Sequence, residues 1–250
     1  MSRTDKLHGR LAVVTGSARG LGRSMAITLA GEGARVAIHY KTRKEEAALT
    51  VAHLRNGGAE AMAFQADLCS WDETQNLISA VLKHFGRIDI LVNNVGPFGE
   101  KSFLETTPLE WREMLDGNLL TTVHACRAVW PFMQEQKYGR IINLGLASAD
   151  RIHAYQNIIP YGIAKTGVLI LSKSLAVEGA PFGITVNVLA PGLMNNGDLS
   201  ESESARLAKK IPGGRTGTAG DLGAALLFLA GEASAYVTGA QIPVSGGWGL

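Results

Sequence analysis

Tyr161 and Lys165 stand four residues apart, a spacing that puts two side chains on the same face of a helix. A phenol titrates at about 10, and an ammonium within a few ångströms favours the phenolate, so the pair has the makings of an acid or base working near neutral pH. A second group carries no reactive atom but shapes backbone. Gly16, Gly20 and Gly22, with Ser17, Arg19 and Leu21 among them and Thr15 in front, spell G-x-x-x-G-x-G. Glycines so placed let the chain turn sharply and come close to a ligand, and the free amides of the helix that follows would face an anion such as a pyrophosphate. Asn93, Asn94 and Gly96 add two amides and a close-approach glycine, a polar clamp on a loop.

These residues need a scaffold, and the apolar pattern supplies one. Residues 11–14 and 36–38 are short apolar runs, as in strands buried on both faces, and residues 10–40 form one βαβ unit with the glycine loop at its first turn. Further strands are expected at 61–64, 88–92, 140–144, 184–189 and 241–244, alternating with a helix that residues 41–46 lead into and that runs to about 56, and with helices at 72–85, 108–136, 161–179, 201–210 and 221–230. Such alternation predicts an α/β, single-domain, Rossmann-like doubly wound fold of about seven parallel strands with helices on both faces. Asp67 and Leu68 then fall just past a strand's carboxyl end, where ligands bind in an open parallel sheet, and are expected near an adenine. Asn118 lies inside a helical stretch although asparagine competes for backbone bonds, which points to a kink or a buried network. The long connection at 145–160 and the polar segment with Asn195 and Asn196 before the helix at 201–210 are expected to be functional, the latter as a lid.

Composition narrows the function. An apolar fraction of 46% with 18% charged residues and a formal charge of +2 suits a soluble domain with a substantial core and argues against nucleic-acid or membrane partners. The polar first residues and the lack of a long apolar run predict a cytoplasmic protein. Cys69 and Cys126 have neither metal-ligand nor disulfide-framework spacing, so no metal site is expected. An enzyme that selects NAD places a carboxylate at the end of strand two. Here Tyr40 holds that place with Lys41 and Arg43 beside it and Arg19 facing, which predicts NADPH/NADP as cofactor.

Taken in order, the glycine loop, Asn93-Asn94-Val95-Gly96, Tyr161 to Lys165, Pro191-Gly192, Thr238-Gly239 and Gly246-Gly247 resemble the short-chain dehydrogenase/reductase family over about residues 8–249, and within it the bacterial 3-oxoacyl-carrier-protein reductases. The resemblance implies hydride transfer between a nicotinamide and a carbonyl such as a 3-oxoacyl thioester, on a small-molecule or acyl-carrier-bound substrate. Tyr161 would be the proton donor, Lys165 would hold the ribose and lower the tyrosine pKa, and Asn118 would support a relay water. Pro191, Gly192 and Asn196 would border the nicotinamide, Asn196 standing where a threonine is usual. A pteridine-reductase-like C=N reductase and a dinucleotide-binding regulatory protein are the alternatives. A homotetramer is implied, pairing the two long helices through Trp130, Phe132, Val168 and Leu171. Val95 replaces the family's alanine and is expected to narrow the site. The carbonyl-binding serine is displaced: counting forward from Gly139 its place falls on Leu146, and counting back from Tyr161 it falls on Ser148. Ser148 is the expectation, with Leu146 as the other register.

Overall fold

The computed structural model describes residues 6–195 and 199–249. One parallel sheet of seven strands in the order β3-β2-β1-β4-β5-β6-β7 organises them. The strands are β1 Leu11–Val14, β2 Arg35–Tyr40, β3 Ala61–Gln65, β4 Ile90–Asn93, β5 Gly139–Leu144, β6 Ile184–Pro191 and β7 Gln241–Val244. Around them run helices α1 Gly20–Gly31, α2 Lys44–Asn56, α3 Trp71–Phe85, α4 Pro108–Leu115, α5 Thr121–Gln136, α6 Ile159–Gly179, α7 Glu201–Ala208 and α8 Ala219–Ala230. Among the described residues no helix is long and apolar enough to cross a membrane.

Alternation along the strands builds two cores from one sheet. Ala12 and Val14 of β1 pack with Met25 and Leu29 of α1, Val51 and Leu54 of α2, and Leu222 and Leu226 of α8. Leu11 and Val13 point the other way, into Leu77 and Val81 of α3, Val129 and Met133 of α5 and Ala176 of α6. Both faces are therefore covered, which explains why the strands read as unbroken apolar runs. The chain leaves β1 toward β2 and β3, then returns to pair β4 directly with β1, Val14 lying opposite Val92. Strand order reverses there, opening a crevice beyond the carboxyl ends of β1 and β4.

The opposite end of the sheet is closed by charge. Asp89, fully buried at its side chain, accepts from Arg10 at 3.1 Å, from Arg87 at 2.8 Å and from the Leu11 amide at 2.9 Å. The Tyr138 ring lies between the Arg10 and Arg140 guanidinium groups, 3.8 and 4.3 Å from its centroid. This end holds the strands together and leaves the other free for chemistry.

One helix departs from the expected outline in a way that matters. The stretch expected as a single helix at 108–136 begins on a Thr107–Glu110 capping box with Pro108 in its first turn, but residues Asp116–Leu120 widen into a π-helical turn between α4 and α5. Such bulges concentrate at functional sites. Asn118 sits inside it.

Candidate active site

The crevice is a cleft of about 730 Å³ that gathers Leu21, Asn94, Gly96, Tyr161, Lys165, Pro191 and Gly192 with Leu144, Gly145, Leu146 and Ile158, and brings in Phe98, Leu193, Met194 and Trp248 as well as Arg206, Leu207 and Lys210 in and just after α7. The glycine loop forms its inner wall. Gly16 and Gly20 both have φ +60°, the left-handed region in which only glycine is unstrained. A Cβ on Gly22 would lie 2.4 Å from the Gly16 carbonyl oxygen, so α1 starts where no larger residue fits. Asn94 fixes the loop from the side: its backbone amide donates to Thr15 Oγ1 at 2.9 Å, and its side-chain amide donates to the Thr15 and Gly16 carbonyls at 3.0 and 3.2 Å.

A residue absent from the sequence expectation fixes the loop from behind. His39 is buried beneath it, and its Nδ1 accepts from the Gly16 amide at 3.0 Å. Nε2 must then carry the proton and donate to the Ala66 carbonyl, also 3.0 Å away. Ser17, expected at the cofactor, has the same structural duty: its buried hydroxyl donates to Val14 O at 2.6 Å and accepts from the His39 amide at 3.1 Å. A lone histidine in an apolar strand was the available signal.

Asn118 and Lys165 meet over Gly96. A Cβ there would come within 2.2 Å of Asn118 Oδ1 and 3.4 Å of Lys165 Nζ, so acceptor and cation share the space that the glycine leaves open. Asn118 Nδ2 donates to the carbonyls of Pro97 and Met114 at 2.9 and 3.0 Å, which turns Oδ1 toward Gly96, buried and without a partner among the described residues. A buried acceptor left unsatisfied costs roughly 1 to 3 kcal/mol, so its orientation is held by the rest of the fold. Lys165 donates to Leu144 O at 2.8 Å, and its Nζ lies 5.6 Å from the Tyr161 ring centroid. Phe98 meets that ring edge-on at 5.2 Å.

The electrostatics correct one expectation. Burial pushes the Tyr161 phenol up to about 12 and the Lys165 ammonium down to about 8. Burial disfavours the charged form of each group, so Tyr161 rests as a neutral phenol, the form that donates a proton.

Other expectations need correction too. Asn93 does not face the cleft: its amide donates to Asn143 Oδ1 at 2.8 Å, Asn143 donates to Ser172 Oγ, and the three tie β4, β5 and α6 together in the core. Leu68 is buried among apolar side chains of the α3 side. Val95 packs on that same core and against Gly16, so its extra methyls press on the glycine loop rather than on a substrate. Ser148 lines a pocket with Arg151, His153 and Tyr155 that shares Ile158 and Trp248 with the cleft, whereas Leu146 lines the cleft itself, as Tyr161 does. Late in the loop, just before α6, the Tyr155 ring folds onto Gly162; a Cβ there would lie 2.4 Å from the ring. Asn196 lies outside the described residues.

At the end of β2 the charges are partly spent on one another. Lys41 pairs with Asp67 at 2.6 Å and Arg43 with Glu46 at 3.1 Å. The Glu46 carboxyl is held below its usual range by its own backbone amide first, and by Arg43 and Arg19 as well, so both guanidinium groups reach the same spot. Tyr40 is half-buried against the α1 side of the core. The cradle at Gly22, the amides of the α1 start and these cations fit a dinucleotide with its pyrophosphate on the loop.

Comparison with known proteins agrees. The family described as Enoyl-(Acyl carrier protein) reductase matches residues 16–249. The chain belongs to the short-chain dehydrogenase/reductase family. It is an NAD(P)-dependent oxidoreductase. It is 37% identical over 241 residues to the 3-oxoacyl-[acyl-carrier-protein] reductase FabG of Staphylococcus epidermidis, covering 94% of this chain and 97% of that one. It is also 37% identical to the cyclohexanol dehydrogenase of a Rhodococcus species, with 96% of each covered. A gluconate 5-dehydrogenase from Burkholderia cenocepacia, solved in complex with NADP and tartrate, superposes with a TM-score of 0.90 at 32% identity, covering 98% of this chain and 97% of that one.

The buried histidine leads to a prediction about stability and pH. Burial lowers His39 from 6.5 to about 4. Between those values the unfolded chain binds a proton that the folded chain refuses, so stability is full above about 6.5 and falls as pH drops toward 4. Chemical denaturation at pH 7 and pH 4.5 is expected to show roughly 2 to 3 kcal/mol more loss in the wild type than in His39→Asn. Equal losses would contradict the assignment.

Proposed function

We propose that the chain is an NADPH-dependent reductase that places hydride on the carbon of a polarised carbon–heteroatom double bond and the Tyr161 proton on the heteroatom. The observation that carries this is the meeting at Gly96 of the Lys165 ammonium and the unpartnered Asn118 oxygen, with the Tyr161 ring 5.6 Å from that ammonium in the same cleft. The substrate class suggested by the curated relatives is a ketone such as a 3-oxoacyl thioester, free or carrier-bound.

The chain's own residues divide the work. Gly16, Gly20, Leu21 and Gly22 would hold the pyrophosphate, Arg19 with Lys41 and Arg43 the 2′-phosphate, Asp67 the adenine side, and Asn94, Gly96, Pro191 and Gly192 the nicotinamide end. When bound, the nicotinamide supplies the hydride. Tyr161 donates its O–H proton, and Lys165, with an ammonium poised at about 8, is placed to restore it with Asn118 Oδ1 as an acceptor on the path. Because Lys41 and Arg43 are already ion-paired, Arg19 contributes the excess positive charge that favours NADPH, and a charge-assisted bond of this kind is worth roughly 1.5 to 3 kcal/mol.

We also propose a homotetramer built on α5 and α6. Ile163, Ile170 and Val177 form an exposed stripe on α6, and Trp130, Phe132 and Leu171 line an apolar groove beside it. Val168 is buried in the fold and takes no part. Light scattering is expected to give four chains at micromolar concentration; a monomer would contradict the proposal.

The functional reading is tested by Tyr161→Phe. Cofactor affinity is expected to stay and kcat to fall by roughly 100-fold or more. Wild-type kcat/KM is expected to be higher with NADPH than with NADH. Near-normal turnover by Tyr161→Phe would remove the assigned acid, and cofactor binding without oxidation across a broad panel would leave a regulatory binding protein instead.

A further inference from the structure

The walls of the cleft are not electrically even. Among the described residues lining it, the cations are Lys165, Arg206 and Lys210 and the acid is Glu100. Lys165 belongs to the reacting end, where it donates to Leu144 O at 2.8 Å. Glu100 stands with Phe98, and both also line a neighbouring pocket against α4 together with Glu113 and the Lys101–Glu110 pair. Arg206 and Lys210 come instead from α7 and the turn that ends it, with Leu207 between them. The pocket that Ile158 and Trp248 join to the cleft adds Arg151 and His153 and, among its described lining residues, no carboxylate. The side of Phe98 and α4 is therefore acidic and the side of α7 and Trp248 basic, in a chain whose formal charge is only +2.

Nothing described in the fold uses the two α7 cations. Four residues apart, they share one face of the helical run, which Lys210 N extends by donating to Leu207 O at 2.9 Å. Like charges at that spacing oppose each other, so the helix gains nothing from the pair. The negative end of the helix dipole favours a base near Ala208, and Lys209 serves that purpose without lining the cleft. Among the described residues neither cation has a side-chain partner. The Glu203 carboxyl is held below its usual range by the Ser200 hydroxyl and amide first and by Arg206 after them, but its Oε2 is spent on that capping box, at 2.6 and 3.0 Å, and Glu203 does not line the cleft. The cofactor phosphates are assigned to the glycine loop and to the end of β2, each with its own amides or cations.

We infer that Arg206 and Lys210 select an anionic substrate, holding a carboxylate or a phosphate at the far end of a molecule whose carbonyl lies at Tyr161. The inference rests on the reading of hydride transfer with Tyr161 as the proton donor and names the substrate class, an oxo acid or an oxo phosphate ester. A guanidinium and an ammonium side by side supply charge-assisted donors, which are about twice as strong as neutral ones toward either anion. Apolar walls at Ile158, Leu193, Met194 and Trp248 focus that attraction and suit the uncharged middle of the molecule. Because the cations grip a part of the substrate that does not react, they act on the bound substrate and the transition state alike. Their effect belongs in KM rather than in kcat.

The test pairs each anion with a neutral counterpart, with NADPH in excess: acetoacetate and levulinate against their methyl esters, and dihydroxyacetone phosphate against dihydroxyacetone. In the wild type at least one anion is expected to exceed its counterpart by about 10-fold in kcat/KM, mainly through KM, and the arm that shows it tells carboxylate from phosphate. The double variant Arg206→Gln, Lys210→Gln is expected to bring that ratio to within about twofold of unity, and raising the ionic strength from about 0.01 M to about 0.1 M to shrink it in the wild type. Counterparts that match every anion, or a preference that the double variant keeps, overturn the inference. So does an NADPH dissociation constant that rises in the double variant by the same factor as KM, the sign of cations that hold the cofactor. If the double variant does not fold, as judged by its melting temperature, the salt dependence of the wild type decides alone, and equal salt effects on anion and counterpart overturn the inference. Failure of the underlying reading looks different: Tyr161→Phe would keep turnover, or no carbonyl would oxidise NADPH. Dissociation constants of the NADP-loaded wild type for the same pairs then still decide, an advantage of about 10-fold for an anion sustaining the anionic site and equal values overturning it.

Discussion

Everything in the cleft depends on the hydrogen atom that Gly96 carries where other residues carry a carbon. The glycine has no positive φ to explain it; space does. Asn118 Oδ1 enters that space because the π turn rotates its helix and because two carbonyls hold its amide, and Lys165 Nζ enters it from α6. A methyl group at this point would meet an oxygen that has nowhere to retreat. The cation and the acceptor are thus brought together by an absence of bulk at the end of β4, with Tyr161 one helical turn from the cation on α6, next to the reversal in strand order where an open parallel sheet binds its ligands.

Burial then sets the protonation states. Desolvation acts in opposite directions on a phenol and an ammonium, holding Tyr161 neutral and bringing Lys165 to about 8. The same water-poor setting raises the value of every hydrogen bond made to a developing charge. Arginines and buried Asp89 close the far end of the sheet, where no such exchange of protons is required.

Much of this was legible in the sequence, for reasons that can be stated. Unbroken apolar runs identified the strands because both faces of a parallel sheet are covered, and glycine spacing identified the loop because backbone approach admits no substitute. Asn118 announced a kink by being a poor helix former inside a helix. Pairwise and long-range detail was less accessible. Asn93 and Asn94 are neighbours, yet opposite sides of the chain send one into the core and the other onto the loop. Counting cations at 40–43 does not reveal that both of them, Lys41 and Arg43, are paired, with Asp67 and Glu46. His39 was overlooked because nothing local distinguishes a histidine that holds a loop from one that fills a core. The choice between Leu146 and Ser148 turned on the course of a long loop, and the contact of Tyr155 with Gly162 near its end is one that no spacing rule contains.

The central claim is geometric, so its most direct measurement is the steady-state kinetics of Gly96→Ala alongside its NADPH affinity. A Cβ placed 2.2 Å from Asn118 Oδ1 must displace it, and misplacement of about 1 Å at a reacting centre costs on the order of 100-fold. The account predicts a fall of about that size in kcat, larger than the change in the NADPH dissociation constant, with folding intact. Wild-type kcat in a folded Gly96→Ala protein would contradict it.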